Sequence, residues 1–309
     1  MNLGGRFWAK TLRGVGAAVL AASLCACGGT VSSDSAPPPF FAVLSAFPAE
    51  TAPLLDQASI DGTMMINGRD FRIGTLAGVH VVIGLTGIGL VNATTTTRAL
   101  LDQFAVTGIV FSGVAGTTLR IGDVAVPATW SLKDGTAYPA NQEWLDLAGT
   151  IVAPAAGTLD HCTVVPASGE SVCLPFDPVV VVGGVGESSD PFGGRPVLCR
   201  ANGDDVFGCD VPPEGAASVA TRAAGEMRTV APADAAAPIV DDMETAAVAR
   251  EAAARGLPFI GFRATSDGAD DPLGLPGFPA QFFAYYRLAA RNAADAAVAF
   301  LKRVATVAP

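Results

Sequence analysis

The sequence has little charge and few of the side chains that bind metals or nucleic acid. Only 16% of its 309 residues are charged, and histidine occurs only twice. The formal net charge of −10, with no basic cluster against it, argues against nucleic acid or an anionic membrane surface as a direct partner. A Ser–His–Asp pattern, a Walker loop and ligands at zinc spacing are all missing from the sequence. We therefore expect no metal, no other cofactor and no nucleic-acid partner.

The sequence is rich instead in apolar residues arranged for an α/β fold. Half of the chain is hydrophobic, which is enough for a sizeable core. Apolar strand patterns alternate with helical patterns, and Asn67–Gly68 between two short runs indicates a β-hairpin. Helices are predicted over Leu90–Phe104, Gly215–Val230 and Ala280–Thr306. We predict a single three-layer α/β domain with a central mixed β-sheet flanked by helices.

The N-terminal residues are predicted to be a targeting segment and not part of the fold. Three basic residues precede the apolar run Gly14–Leu24, which is short for a membrane span. The run ends in LCACGG, which resembles a bacterial lipobox and implies cleavage before Cys27 and lipidation of its thiol. Residues 1–26 would be the signal peptide and residues 27–39 a flexible tether. The alternative is an ordinary secretory signal with an incidental cysteine.

The lipobox resemblance also implies a cellular location. Gly28, and not an aspartate, follows the lipidated cysteine, which favours the outer membrane if the host is Gram-negative. We therefore expect a protein of the cell envelope, anchored by lipid in the outer membrane and facing the periplasm.

Four cysteines remain beyond the lipidation site, and an even number in an exported protein indicates disulfides. Four cysteines allow three pairings, and we favour the sequence-local one, which closes two short loops. The pairs would be Cys162 with Cys173 and Cys199 with Cys209. Zinc is the weaker alternative, because the spacings are not Cys-x2-Cys and only His161 is near.

Acidic and aromatic residues follow the ends of several predicted strands. Glu50, Phe192 and Asp267 each come after an apolar run, and the glycines of SGVAG follow another. Because ligands bind at the carboxyl ends of strands in α/β sheets, these residues form a site if their strand ends converge. Glu244, in VDDMETAAVA at the start of a predicted helix, is a further candidate, with helix capping as the alternative.

The order of these motifs resembles that of the nucleoside phosphorylase/nucleosidase superfamily. The resemblance rests on FAVLSAFPAE, TGIGLVNA, FSGVAGTTLRIGDVAVP, SSDPF, VDDMETAAVA and FIGFRATSDGADD. Among enzymes the chain most resembles the methylthioadenosine/adenosylhomocysteine nucleosidases, and its glycine segment also looks like plant vegetative and bark storage proteins. The resemblance covers most of the predicted domain, residues 40–309, in which residues around 131–211 would be a cysteine-bearing insertion.

The resemblance implies an acid and a base. Asp267 would give a proton to the purine N7, which requires a carboxyl group kept partly neutral, and Ser266 would hold it in place. Glu50 would orient and deprotonate the attacking water, with Arg263 as its partner. A structural ion pair is the alternative role for Arg263, because a buried arginine needs a partner.

The resemblance also implies contacts to the sugar and the base. Glu244 would bind the ribose hydroxyls as positive charge develops, with Met243 packed on the sugar. Phe192 would stack on the base, with a place in the core as the alternative. Asp241 and Asp242 would be solvated, cap-like acids. The glycine motif would line the site through Gly113, Val114, Ala115 and Gly116.

Departures from the family pattern leave the nucleophile open. Phe111 stands where bacterial hexameric phosphorylases carry a phosphate-binding arginine, so we favour water as the nucleophile. The alternative is a phosphate nucleophile, with Arg98 taking the place of the missing arginine. Val114 replaces a serine of the nucleosidases, which keeps a non-catalytic nucleoside-binding or storage-like protein as a further alternative. The resemblance predicts a homodimer that hydrolyses the N-glycosidic bond of a purine nucleoside or 5′-thionucleoside.

Overall fold

The structure, a computed structural model, describes residues 39–151, 158–211, 224–230 and 237–307. The helices are α1 (Pro48–Leu55), α2 (Leu90–Gln103), α3 (Gln142–Ala148), α4 (Thr245–Ala254) and α5 (Ala280–Val307). The strands are β1 (Phe40–Ser45), β2 (Ala58–Ile66), β3 (Arg69–Leu76), β4 (Val79–Leu85), β5 (Val106–Arg120), β6 (Val124–Val126), β7 (Thr129–Leu132), β8 (Ala137–Pro139), β9 (Thr158–Asp160), β10 (Cys162–Val164), β11 (Ser171–Cys173), β12 (Val180–Val182), β13 (Val185–Ser188), β14 (Ala224–Glu226), β15 (Thr229–Val230), β16 (Ile239–Asp242) and β17 (Phe259–Ala269).

One large mixed sheet forms the centre of the fold. Its main path runs in the order β15–β12–β6–β17–β5–β1–β4–β3–β2, and β16 leaves it from β5 to continue through β13 and β7 to β8. Strand β5 is central, with β1 and β17 parallel to it on either side. Its residues 109–112 are fully buried, as expected for a strand of a parallel sheet covered on both faces. The predicted α/β class with a central mixed sheet is confirmed.

Helix α5 covers β17 and β5 and supplies much of the core. Its predicted bounds agree with the structure within one residue. Many of its buried residues are alanines, such as Ala289, Ala293 and Ala296, whose small side chains let the helix lie close to the sheet. In the part of the chain that the structure describes, no helix combines the length and the hydropathy needed to cross a membrane.

The predicted hairpin turn lies between β2 and β3 at the sheet edge. Asn67 has φ 51° and Gly68 has φ 74°, and Ile66 pairs with Arg69 across the turn. Positive φ at both central residues is the requirement of the tight type I′ turn, which explains the Asn-Gly pair. The turn also places Arg69 at the first position of β3.

Two sequence predictions fall wholly or partly outside the described residues. The signal peptide, Cys27 and nearly all of the tether lie there, and so does most of the helix predicted over Gly215–Val230. Where that helix is described, it is wrong: residues 224–226 pair with β9 and residues 229–230 pair with β12 as strands. Pairing with distant strands outweighed the local helical preference there.

Both disulfides have the predicted partners. Cys162 and Cys173 face each other across the antiparallel pair β10–β11, with an S–S distance of 1.98 Å. Cys199 and Cys209 are joined at 2.06 Å and close a loop between β13 and β14.

Candidate active site

Glu50 lies in the first turn of α1 and points its carboxylate back toward the sheet. Oε2 accepts the N–H of Ala46 at 2.6 Å, and Oε1 accepts the N–H of Val114 in β5 at 2.7 Å. The side chain is almost fully buried. The sequence predicted Glu50 in a loop after the first strand, but Pro48 begins a helix there, since proline suits the first helical position. The carboxylate therefore joins the end of β1 to the middle of β5.

Arg263 in β17 is the centre of a buried group of carboxylates. Its Nη2 lies 2.9 Å from Asp242 Oδ2 and 3.1 Å from Glu244 Oε2, whereas its Nη1 lies 4.0 Å from Glu50 Oε1. The guanidinium also stacks on Phe111, 5.0 Å from the ring centroid. We call Arg263, Glu50, Asp242 and Glu244 the Arg263 cluster. The predicted pairing of Arg263 with Glu50 is present, and the other two carboxylates are its closer partners.

Asp242 is the member of this cluster that the sequence prediction missed. The prediction that it is solvated is wrong, because it is buried at the end of β16, whereas its cap-like role is confirmed, because it accepts the N–H of Thr245 at the start of α4. It accepts hydrogen bonds from the hydroxyls of Ser188 and Thr245 and from the N–H of Glu244 at 3.2 Å. Residues of β16 alternate between exposed and buried, so Asp241 faces out and Asp242 faces in. The alternation of β16 and the need of a buried arginine for an acidic partner together could have identified Asp242 as a partner of Arg263.

Glu244 connects the cluster to the start of α2. Its Oε1 accepts the N–H of Gly89 at 2.8 Å. The ring of Phe192 lies close to the same glycine: a Cβ added at Gly89 would be 3.0 Å from Cδ2 of the ring. Met243, next in the chain, is half-buried. The predicted sugar-side residues are thus adjacent, while base stacking by Phe192 stays a prediction.

The glycine motif of β5 lies between the cluster and Asp267. A Cβ at Gly113 would come 2.7 Å from Cδ of Glu50, and one at Gly116 would come 2.6 Å from Oδ2 of Asp267. Glycine at both positions therefore allows the close approach of an acidic side chain. Three residues of an extended strand span about 10 Å, so the acidic groups lie at the two ends of the motif.

Asp267 lies within β17 and not beyond its end, because the strand continues to Ala269. It pairs with Gly116 on one side of β5, and Asp241 pairs with the same glycine from β16. Ser266 donates its hydroxyl to Oδ1 of Asp267 at 2.8 Å, as its predicted role requires. The two carboxylates thus flank one glycine, and Asp267 is the less exposed of them.

The Arg263 cluster holds three carboxyl groups against one guanidinium, a formal charge of −2 if all are ionised. Burial raises the pKa of Glu50, although Arg263 and the N–H groups of Val114 and Ala46 oppose the shift. Burial also raises the pKa of Glu244 to about 7, with Arg263 opposing it and Asp242 adding to it. Burial alone would lower the pKa of Arg263, but its three carboxylates outweigh this effect and raise it. The free site therefore retains a proton near neutral pH.

Asp267 has the electrostatics of a proton donor. Burial raises the pKa of its carboxyl group, the hydrogen bond from Ser266 lowers it, and the negative charge of Asp241 raises it again. The net shift is upward, which keeps part of the population protonated at a higher pH than for a free aspartate. Within the described ranges, His, Cys, Asp and Glu side chains nowhere gather as a metal site. The site can thus offer an acid at one end and an ionisable base beside a cation at the other.

Arg98 does not belong to this site. It lies on α2 and makes two hydrogen bonds to Glu251 of α4, at 2.9 and 3.1 Å. Its side chain is 59% exposed, and nine residues of helix separate it from Gly89, about 13 Å along the axis. The hypothesis that Arg98 binds phosphate in the site is therefore not supported by the geometry.

The comparisons with known proteins agree with the geometry. A family model described as the phosphorylase superfamily matches residues 40–302. The uncharacterized protein Rv2293c of Mycobacterium tuberculosis (strain ATCC 25618 / H37Rv) is 37% identical over 188 residues, covering 53% of this chain and 74% of that protein.

An enzyme and a solved structure add to this likeness. The 5′-methylthioadenosine/S-adenosylhomocysteine nucleosidase of Tolumonas auensis is 29% identical over 265 residues, covering 85% of this chain and 98% of the enzyme. The crystal structure of such a nucleosidase from Neisseria meningitidis, in complex with methylthio-immucillin-A, superposes with a TM-score of 0.57 at 21% identity. It covers 86% of this chain and 99% of that one, which shows a shared fold.

Proposed function

The chain belongs to the phosphorylase superfamily and is an enzyme of the N-ribosyl hydrolase or phosphorylase type, and from this premise we propose that it hydrolyses a purine nucleoside. The bond cleaved is the N-glycosidic bond, and the products are the free base and the sugar. The substrate is a purine nucleoside or a 5′-thionucleoside of the methylthioadenosine/adenosylhomocysteine kind, as for the nucleosidase from Tolumonas auensis.

The observation that supports this most is the placement of acids at both ends of one glycine motif. Asp267 lies at Gly116, and the Arg263 cluster lies at Gly113. A nucleoside along the motif has its base at Asp267 and its sugar at the cluster. Asp267 then protonates N7, which makes the base a better leaving group as the glycosidic bond breaks.

The cluster serves the sugar and the water. Glu244 accepts hydrogen bonds from the ribose hydroxyls, and its charge stabilises the oxocarbenium-like sugar in the transition state. Glu50 takes the proton from water as the oxygen attacks the anomeric carbon. Arg263 holds Glu244 and Asp242 in position and favours the ionised form of Glu50.

Water is favoured over phosphate as the nucleophile. A phosphate dianion needs several cationic or N–H donors. In the described part of the chain, Arg263 is the cation inside the cluster, and three carboxylates already face its single positive charge, two of them at Nη2. Arg98 is engaged by Glu251 on the helix surface.

We also propose where the enzyme acts. A lipid on Cys27 would anchor it in the cell envelope, in the outer membrane facing the periplasm, and two disulfides suit an oxidising compartment. The active form would be a homodimer. Labelling with radioactive palmitate, lost in Cys27→Ala, tests the anchor, and light scattering in detergent tests the dimer. A monomeric, unlabelled protein would contradict both proposals.

The test of function is base release by the full chain in detergent, under oxidising conditions. Methylthioadenosine, adenosylhomocysteine, adenosine, inosine and uridine are incubated with and without phosphate, and the free base is followed by chromatography. Asp267→Asn should lower kcat roughly 10²- to 10⁴-fold, because the acid is removed while the shape is kept. Asp270→Asn is the matched control, since Asp270 is exposed and asparagine tolerates its φ of 56°.

Each outcome decides a part of the proposal. Release without phosphate that falls in Asp267→Asn but not in Asp270→Asn supports the hydrolase and names the substrate class. Release only with phosphate moves the nucleophile to phosphate. Binding of a nucleoside without release from any of them would contradict the enzyme for these substrates and favour a binding protein.

A further inference from the structure

A narrow apolar cavity adjoins the Arg263 cluster and contains one guanidinium group, that of Arg69. Its lining includes Phe47, Arg69, Ile88, Val197, Val206 and Phe207. The last three belong to the segment around the Cys199–Cys209 disulfide, which forms one wall.

The cavity is lined by the same backbone segments that hold Glu50 and Glu244, at the opposite end of the glycine motif from Asp267. Ala46 lines it, and the N–H of Ala46 holds Glu50. Gly87 also lines it and lies two residues before Gly89, whose N–H holds Glu244. Two residues of chain span at most about 7 Å. A group attached to a sugar at Glu244 would therefore be within reach of this cavity.

Arg69 places its guanidinium in the cavity, where the Asp210 carboxylate is its charged neighbour and one donor is left open. Its Nη1 atom is buried and has no hydrogen-bond partner among the described residues. Gly87 makes room for it, because a Cβ there would come 2.8 Å from Cζ of Arg69. Burial lowers the pKa of Arg69 and the Asp210 carboxylate opposes that shift, but a guanidinium stays charged in proteins. An anion would satisfy the open donor.

The lining indicates what kind of anion enters. One guanidinium among apolar side chains suits a single negative charge on an apolar linker better than a phosphate dianion, which needs several donors. The space is about 10 Å³, the room of a single water molecule, so the disulfide-closed loop has to shift outward when a group enters.

We propose that Arg69 binds an anionic group on the 5′ substituent of the nucleoside, so that the preferred substrate carries a negative charge there. The inference rests on the proposed function for the orientation of the nucleoside. It adds a specificity residue that acts on the substituent and takes no part in bond cleavage.

The test compares an acid with its own ester. The probes are 5′-(2-carboxyethylthio)-5′-deoxyadenosine and its methyl ester, with adenosine and adenosine 5′-monophosphate as a second pair. Dissociation constants are measured by calorimetry with the full chain in the Asp267→Asn background, which prevents turnover. Arg69→Gln should weaken binding of the acid roughly 10- to 100-fold and abolish the preference over the ester. Arg72→Gln is the matched control, because Arg72 lies on the same strand, pairs with Asp70 at 2.9 Å and does not line the cavity.

The outcomes separate this inference from the proposed function. Preference for the acid that is lost in Arg69→Gln and kept in Arg72→Gln supports the subsite. The same pattern for the monophosphate over adenosine also supports it and identifies a phosphate ester as the anion. Equal binding of acid and ester overturns only this inference, whereas no binding of either overturns the proposed function too. Base release that requires inorganic phosphate and is lost in Arg69→Gln would overturn the inference, because the guanidinium would then hold the nucleophile.

Discussion

Arg263 and Arg98 make ion pairs of similar length in opposite surroundings. Arg263 Nη2 lies 3.1 Å from Glu244, and Arg98 Nη2 lies 2.9 Å from Glu251. The side chain of Arg263 is 1% exposed, whereas that of Arg98 is 59% exposed. The distances alone therefore do not distinguish a site residue from a surface residue. Burial distinguishes them, because it determines how strongly each charge depends on its partner.

The physical reason is the solvent. Water and salt screen an exposed pair, and water replaces a lost partner at little cost. In the Arg263 cluster no water shell replaces the guanidinium, so each charge depends on the others. Burial also raises the pKa of Glu50 and Glu244, although Arg263 opposes the shift, and a surface pair would not show this effect.

The largest expected effect is that of Arg263→Met. The change leaves three buried carboxylates without their cation, and removing one partner of a buried ion pair costs about 3–5 kcal/mol. We expect a loss of this size in the free energy of unfolding, measured with urea, and loss of base release. Recovery of stability at low pH, where the carboxylates are protonated, would identify charge as the cause. A loss below about 1 kcal/mol would place Arg263 with the surface pairs.

The pH dependence of stability should show a smaller effect with an unusual sign. Glu244 has a pKa of about 7 in the folded protein and 4.5 as a free group, so the folded state binds more protons between these values. This contribution to stability is complete below about pH 4.5 and is lost as the pH rises through about 7. One proton changes the free energy of unfolding by at most about 1.4 kcal/mol per pH unit.

Urea unfolding at pH 5, 6 and 7 checks this expectation. Glu244→Gln does not titrate at that position, so its stability should fall less steeply than that of the wild type. Parallel profiles of the two proteins would show that Glu244 is not the group responsible.

The smallest effect is expected for Arg98→Met. The exposed pair with Glu251 contributes little to stability, because water screens it and replaces either partner, and high salt should reduce the contribution further. The rate of base release should equal that of the wild type, both with and without phosphate. A large drop in activity, or a new response to phosphate, would mean that Arg98 acts on the site after all.

The sequence predicted those features that depend on neighbouring residues. Asn67–Gly68 predicted its turn because only a few residue types tolerate two positive φ values in succession. The apolar periodicity of Ala280–Thr306 predicted α5 for a similarly local reason. Short cysteine spacings likewise predicted Cys162–Cys173 and Cys199–Cys209. The motif resemblance supplied Glu50, Glu244 and Asp267, which periodicity and spacing alone left open as caps or turns.

The sequence by itself thus determined the α/β class, the helices α2 and α5 and the candidate acids. Only the tertiary structure decided which charges share one buried space. Glu50 and Arg263 are 213 positions apart, and no local pattern relates them. The inward face of Asp242 follows from the register of β16 against β5 and β13, where a shift of one residue would turn Asp241 inward instead. The position of Arg69 beside the site is also a result of tertiary structure. Its cavity is formed by β3, the residues just before α2 and a disulfide-closed loop, which are distant in sequence.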